Sequence, residues 1–205
     1  MIPAPEALRR LREGNRRFVT EATSRHSFEM AEAQEPFAII LGCADSRVPA
    51  EIVFDQGLGD LFVIRVAGNI VAPSQIGSVE FAAERYHTRL VVVLGHSRCG
   101  AVLATLEEMQ RPKGSQSRNL RSIVDRVRPS VEPLLAGPHS DSPDALVEQA
   151  VRANVRVSVG QLRHGSDVLE QLIQERGLAV VGAEYSLETG VVDFFDEETV
   201  SKKEP

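Results

Sequence analysis

The sequence predicts an α/β fold: a mainly parallel sheet of about four parallel strands plus an antiparallel edge strand, flanked by helices. Short apolar runs without polar alternation, typical of strands buried on both faces, recur along the chain. Segments with helical periodicity separate them, and strands that alternate with helices favour parallel pairing. We expect an N-terminal helical arm over residues 1–33 and a single α/β domain over residues 34–205.

The predicted strands are short and strongly apolar. The first ends at Cys43 and the third ends at His96. The last follows a turn at residues 189–190 and forms the antiparallel edge. In chain order, we predict strands over residues 37–42, 61–66, 90–95, 178–182 and 191–195. Sites in parallel sheets lie at the carboxyl ends of strands, so the residues after these runs are the first candidates for chemistry.

The predicted helices carry start and stop signals. Pro5 suits the first turn of the arm helix, and residues 142–144 (Ser-Pro-Asp) suit a helix start. Pro129 and Pro133 interrupt a helical pattern that we expect to end just before them, because proline removes a backbone donor. We predict helices over residues 4–22, 50–54, 75–87, 98–110, 118–128, 143–164 and 166–177.

Composition narrows the class of protein and its partners. Of the 205 residues, 42% are hydrophobic and 25% are charged, which is ordinary for a soluble globular domain. A formal net charge of -6 argues against nucleic-acid binding, because neutralising phosphates needs clustered Lys and Arg. No apolar run reaches the roughly 18 residues that span a membrane. The lack of an apolar leader and the use of only two cysteines favour a cytoplasmic location.

Two pairs of polar residues lie where predicted strands end. Asp45 comes two residues after Cys43, and Cys99 comes three residues after His96. Two thiolates, an imidazole and a carboxylate form a ligand set that tetrahedral Zn²⁺ accepts. A common site requires the first and third strands to be neighbours in the sheet, and we predict that adjacency.

Other interpretations of these residues stay open. The cysteines could be plain buried apolar residues, whereas a disulfide disagrees with a reducing compartment. Neither cysteine is followed by an arginine six residues later, as a cysteine phosphatase loop needs. Asp45 and Arg47 can form a pair with two hydrogen bonds, because the planar guanidinium matches a carboxylate. The alternative is a surface ion pair of little consequence; closeness to Cys43 favours a functional role.

Three stretches carry a resemblance to a known family. Residues 43–51 are Cys-Ala-Asp-Ser-Arg-Val-Pro-Ala-Glu, residues 95–101 are Gly-His-Ser-Arg-Cys-Gly-Ala, and residues 54–69 between them match as well. Over most of residues 34–104 the chain resembles the β-class carbonic anhydrases. The resemblance implies a zinc enzyme, with its site in the α/β domain, that reversibly hydrates CO₂ to bicarbonate and a proton through zinc-bound hydroxide.

The resemblance also implies roles for individual residues. Zinc would be held by Cys43, His96 and Cys99. The fourth position would carry water or hydroxide, or Asp45 in a closed, inactive state. In the active form Arg47 would hold Asp45 away from the metal, which makes both of them catalytic candidates.

Further residues match the family's substrate pocket. Gln34 matches a glutamine that donates to bicarbonate, Phe62 an apolar wall, and Gly100 a backbone donor. Phe81 stands where the family has a pocket tyrosine, and phenylalanine cannot donate a hydrogen bond.

Two residues match a second bicarbonate pocket that a bacterial subgroup of the family uses. These are Arg65 and Tyr185, while Ile40 stands in place of the subgroup's tryptophan. Family active sites lie at a dimer interface, so a homodimer or homotetramer is expected, with no nucleic-acid or membrane partner. The alternatives are a related zinc hydrolase of another heteroallene such as CS₂, and a zinc that only stabilises the fold.

Overall fold

The structure is a computed structural model that describes residues 8–10, 12–13, 17, 34–110, 117–136 and 142–195. The chain divides into two compact units, Met1–Gln34 and Glu35–Pro205. In the first unit the described residues up to position 17 are helical, and Arg9 pairs with Glu13 at 2.7 Å. The rest of the predicted arm helix lies outside the described residues.

The second unit is built on a five-stranded sheet. Its strands are β1 Ala38–Gly42, β2 Leu61–Arg65, β3 Leu90–His96, β4 Ala179–Tyr185 and β5 Val192–Phe195. Their order is β2-β1-β3-β4-β5. The first four strands are parallel and β5 is antiparallel to β4, which confirms the predicted class. β1 pairs directly with β3, as the hypothesis of a shared metal site requires.

Helices connect the strands at bounds close to those predicted. They are α1 Ala50–Val53, α2 Pro73–Arg85, α3 Gly100–Gln110, α4 Arg118–Ala136, α5 Pro143–His164 and α6 Asp167–Glu175. A short 3₁₀ turn, Ala67–Asn69, follows β2. Among the described helices, none combines the length and the apolar character that a membrane crossing requires.

One predicted helix end was wrong. We expected the pattern to stop before the two prolines, yet α4 continues through Pro129 and Pro133. Val127 and Val131 are fully buried, and the Ser130 hydroxyl donates to the carbonyl of Val127 at 2.6 Å. Burial of this apolar face outweighs the backbone hydrogen bonds that the prolines remove.

The core covers both faces of the sheet. Side chains of β1 alternate between two apolar clusters: Ile39 and Leu41 pack with Val155 of α5, whereas Ile40 packs with Ala50 of α1. Burial on both sides explains why the strand sequence shows no polar alternation. The same packing fixes where β1 and β3 end, and the candidate site lies at those ends.

Candidate metal centre

Two sulfur atoms and one nitrogen atom lie close together at the ends of two neighbouring strands and the start of one helix. Cys43 directly follows β1, and His96 is the last residue of β3. The strands are parallel, and Gly42 pairs with Leu94, so both strands end at the same edge of the sheet. A two-residue turn then leads to Cys99, directly before α3 begins.

The three side chains form a compact, buried group. The sulfurs of Cys43 and Cys99 are 3.9 Å apart, and the candidate ligand atoms of Cys43, His96 and Cys99 all lie within 4.8 Å of one another. Both cysteines are free thiols. Two sulfurs bound to one tetrahedral zinc at about 2.3 Å would be roughly 3.8 Å apart. The observed separation therefore matches a shared ion.

The His96 ring leaves one nitrogen available to a metal. Its Nδ1 lies 2.9 Å from the carbonyl oxygen of Ser97. A carbonyl only accepts, so Nδ1 carries the hydrogen and Nε2 keeps its lone pair. Within the described residues, Nε2 is one of two buried side-chain polar atoms without a hydrogen-bond partner. An orphaned acceptor beside two thiols fits a metal ligand.

The pKa values of the two thiols depend strongly on each other. A hydrogen bond from Cys99, the largest cause, and one from the Gly68 N–H lower the pKa of Cys43 to about 4 against the effect of burial. The same contact with Cys43, together with burial, raises the pKa of Cys99 well above its ordinary value. The pair therefore holds one proton tightly, in the place where a divalent cation would stabilise two thiolates.

Asp45 and Arg47 form the pair with two hydrogen bonds that the sequence suggested. The guanidinium donates from Nε to Oδ1 at 2.9 Å and from Nη2 to Oδ2 at 2.8 Å. The Arg47 backbone N–H adds a third bond to Oδ1 at 3.0 Å. These bonds hold the pKa of Asp45 well below its usual range. Oδ2 lies 3.9 Å from Nε2 of His96, so an ionised carboxylate borders the donor group.

Arg65 has a contact that sequence analysis missed. Its Nε donates to the Cys43 carbonyl at 3.0 Å, and its Nη2 donates to the Asp45 carbonyl at 2.5 Å. Arg65 thus fixes the backbone that carries a thiol and a carboxylate. Tyr185, the other residue assigned to a second bicarbonate pocket, pairs in register with His96. The bicarbonate role of both residues stays a prediction.

Sequence analysis also missed the support that α5 gives to the 3₁₀ turn after β2. The N–H of Gly68 points to the sulfur of Cys43 at 3.4 Å. Asn154 of α5 donates to the Gly68 carbonyl at 2.8 Å, and Ser158, one turn later, donates to the Asn69 carbonyl at 3.0 Å. Both α5 side chains are almost fully buried. Polar residues on the buried face of a helix were the available sequence signal.

The remaining predicted residues lie in different surroundings. Phe62 packs in an aromatic group, with ring centroids 6.3 Å from Phe81 and 6.1 Å from Tyr86. Gly100 is the exposed first residue of α3. Gln34 belongs to the first unit. Their substrate roles stay predictions.

Comparisons with known proteins agree with this geometry. A family model described as carbonic anhydrase matches residues 38–192. Carbonic anhydrase 2 of Mycobacterium tuberculosis is 39% identical over 193 residues, covering 90% of this chain and 89% of the relative. A carbonic anhydrase of Mycolicibacterium smegmatis is 39% identical over 197 residues, covering 91% of each. The chain belongs to the β-carbonic anhydrase family.

Solved β-carbonic anhydrases share the fold. An Aspergillus fumigatus structure aligns with a TM-score of 0.77 at 28% identity, covering 96% of this chain and 94% of that one. A Coccomyxa structure in complex with acetazolamide aligns with a TM-score of 0.78 at 27% identity, covering 90% and 84%. The resemblance noted in the sequence is confirmed, and the cluster of two cysteines and a histidine fits the zinc site of a β-carbonic anhydrase.

Proposed function

We propose that the protein is a zinc-dependent carbonic anhydrase that converts CO₂ and water reversibly to bicarbonate and a proton. One observation carries the proposal: three buried donors lie within 4.8 Å of one another, bordered by an ionised carboxylate. We assign Cys43, His96 and Cys99 as the zinc ligands. Asp45 and Arg47 are the catalytic pair beside them.

The donor set suits a catalytic zinc. Two thiolates balance the charge of a dication, and three protein ligands leave a fourth position open, as in catalytic zinc sites. When bound there, zinc acidifies a water molecule so that hydroxide is available near neutral pH, as is established for carbonic anhydrases generally. The residues of the chain then have to orient that group and leave room for CO₂.

Asp45 supplies the orientation. Arg47 keeps its carboxylate ionised and fixed through three hydrogen bonds. An ionised carboxylate only accepts, so a hydroxyl group beside it must direct its hydrogen to Asp45. This hydrogen bond turns the oxygen lone pairs away from Asp45 and toward CO₂, so Asp45 contributes to catalysis by orienting the reacting group. Arg47 acts indirectly, by keeping Asp45 in place.

Other roles rest on the family resemblance. A closed state, with Asp45 as the fourth zinc ligand, requires the bonds between Asp45 and Arg47 to break. Five residues keep proposed roles in binding substrate or a second bicarbonate: Gln34, Phe62, Gly100, Arg65 and Tyr185. Substitution of each, read out as KM and as bicarbonate inhibition, tests them.

We also infer that the chain forms a homo-oligomer. β2 is an edge strand, and large apolar side chains in the segments that precede it along the chain are exposed, including Phe37, Ile52 and Leu58. Exposed apolar groups beside an open edge are typical of an interface. A β-carbonic anhydrase of Sordaria macrospora described as tetrameric shares the fold at 23% identity. Light scattering on the purified chain separates dimer from tetramer, and a monomer at micromolar concentration would contradict the inference.

A cytoplasmic location remains our proposal. Its support is that both cysteines, the buried pair Cys43 and Cys99, are free thiols, as in a reducing compartment. Fractionation of the native cells checks it.

Zinc analysis combined with stopped-flow CO₂ hydration across pH tests the function. We expect one zinc per chain and rapid hydration in the wild type, and loss of both in Cys43→Ser and His96→Ala. His164→Ala, at an exposed histidine, is the matched control and should change neither quantity. Bound zinc without CO₂ hydration at any pH would contradict the proposal. CS₂ hydrolysis in that case would favour the heteroallene alternative, which the comparisons do not support.

A further inference from the structure

A surface carboxylate outside the ligand set contacts the turn between two of the ligands. Glu188 lies in the loop that joins β4 to β5. Its Oε2 accepts from the Ser97 hydroxyl at 2.7 Å, and its Oε1 pairs with Nε of Arg98 at 3.0 Å. Ser97 and Arg98 are the two residues that separate His96 from Cys99.

Ser97 links this loop to the imidazole. Its N–H donates to the Tyr185 carbonyl at 2.9 Å, and its hydroxyl oxygen accepts from the Leu187 N–H at 3.0 Å. Its own carbonyl accepts from Nδ1 of His96 at 2.9 Å. A continuous path of hydrogen bonds therefore runs from Glu188 through Ser97 to the ring whose Nε2 faces the two thiols.

Arg98 gives the turn a second point of attachment. Its φ of 54° lies in the left-handed region, which side chains rarely adopt. Its pairing with Glu188 is solvent-exposed, so the pair contributes little to global stability. It does, however, join the residue directly before Cys99 to the loop that carries Glu188.

We propose that Glu188 is a positioning residue of the zinc site, acting through Ser97 and Arg98 on His96 and Cys99. The inference rests on the proposed zinc ligands. Residues that orient metal ligands through hydrogen bonds change metal affinity by about 10- to 100-fold when they are replaced. Glu188 touches neither substrate nor metal, so its effect should appear first in metal retention.

The experiment measures the rate at which zinc passes from the holoenzyme to a chromogenic chelator. Glu188→Ala should release zinc about 10- to 100-fold faster than the wild type. Glu188→Gln should be intermediate, because an amide oxygen still accepts from the serine but cannot balance the arginine. Asp193→Asn is the matched control, since Asp193 is an exposed carboxylate of β5 that pairs with Arg152 of α5 at 2.7 Å. It should release zinc at the wild-type rate.

A double variant and a spectrum distinguish positioning from general destabilisation. Ser97→Ala should also accelerate release, and combining it with Glu188→Ala should have less effect than the product of the two single effects, because they break a shared contact. The cobalt-substituted Glu188→Ala variant should show altered thiolate-to-metal absorption while its thermal midpoint stays near that of the wild type.

Equal release rates for Glu188→Ala and Asp193→Asn would overturn the inference, as would fully multiplicative effects in the double variant. The wild type is measured first. If it holds no zinc, the proposed function fails and the inference fails with it. If it retains zinc and Glu188→Ala retains it equally well, only the positioning role fails.

Discussion

Replacing Gly68 by alanine tests how closely the turn beside the cysteines is fitted. Gly68 has a φ of +72°, and a Cβ there would lie 3.0 Å from Cβ of Ala101 and 3.4 Å from Cγ2 of Val127. Both neighbours belong to helices that pack against the turn, so neither can move freely. The Gly68 N–H also points to the sulfur of Cys43. An alanine at position 68 would therefore suffer both backbone strain and crowding of its Cβ.

The magnitude follows from the sum of three effects. A side chain in the left-handed region costs about 1–2 kcal/mol. Crowding in a close-packed interior adds about 1–3 kcal/mol. Alanine also lowers the conformational entropy of the unfolded chain, which offsets about 0.4–1 kcal/mol of this loss in stability. We expect Gly68→Ala to lower the free energy of unfolding by about 2–4 kcal/mol.

Gly177→Ala is the matched control. Gly177 has the same φ of +72°, but nothing lies within 4 Å of the position that its Cβ would occupy. It should lose only the conformational part, about 1 kcal/mol after the gain from the unfolded chain. Urea denaturation at equal protein concentration, with zinc removed and with zinc in excess, measures both variants, because bound ligand and assembly each add to stability. Losses that agree within about 0.5 kcal/mol would refute the crowding argument.

Substitutions at three further positions test the site and its surroundings. Arg47→Ala should lower kcat/KM for CO₂ hydration by about 100-fold with zinc retained. Arg47→Lys should keep only part of the wild-type kcat/KM, because an ammonium cannot hold both oxygens of Asp45. An unchanged stopped-flow rate would contradict this. Burial raises the pKa of Glu184 in the folded protein above its value in the unfolded chain. The protonated carboxyl therefore stabilises the fold at pH values below the unfolded pKa, and this stabilisation is lost as the pH rises through the folded pKa. Glu184→Gln should therefore gain stability relative to the wild type as pH rises from about 4 to 7, and parallel denaturation curves across that range would count against the shift. Asn154→Ala leaves the carbonyl of Gly68 without its buried donor and should cost about 1–3 kcal/mol in urea denaturation; a loss no larger than that of an exposed substitution would disprove it.

The adjacency of β1 and β3 was predicted from the hypothesis of a shared metal ion. Cys43 and His96 each follow an apolar run, parallel strands bring their ends to one edge of a sheet, and a common ion requires these two strands to be neighbours. Asp45 and Arg47 are two residues apart, so their pairing needs only local geometry. These features were predictable because each depends on chemistry within a few residues or on a general rule of sheet architecture.

The supporting contacts could not be predicted in this way. Asn154 and Gly68 are 86 residues apart, and Ser97 and Glu188 are 91 residues apart. In the first pair the acceptor is a backbone carbonyl, which every residue carries and no motif marks. The length of α4 was misjudged for a related reason: the burial that maintains it past Pro129 comes from neighbours distant in the chain.

The separation between ligands and supports has a consequence for how the site can be altered. The proposed ligands come from residues 43–99, whereas the buried donors on α5 and the carboxylate of Glu188 come from residues 154–188. Two distant parts of the chain therefore support the backbone next to the cysteines, one at the Gly68 turn, whose N–H points to the Cys43 sulfur, and one at the Ser97 turn, which leads to Cys99. Because the two supports share no described hydrogen bond, loss of one leaves the other in place. Substitutions at Asn154 and Glu188 should then have multiplicative effects on zinc release, unlike the pair within one support, and strong coupling between them would show that the two turns move together.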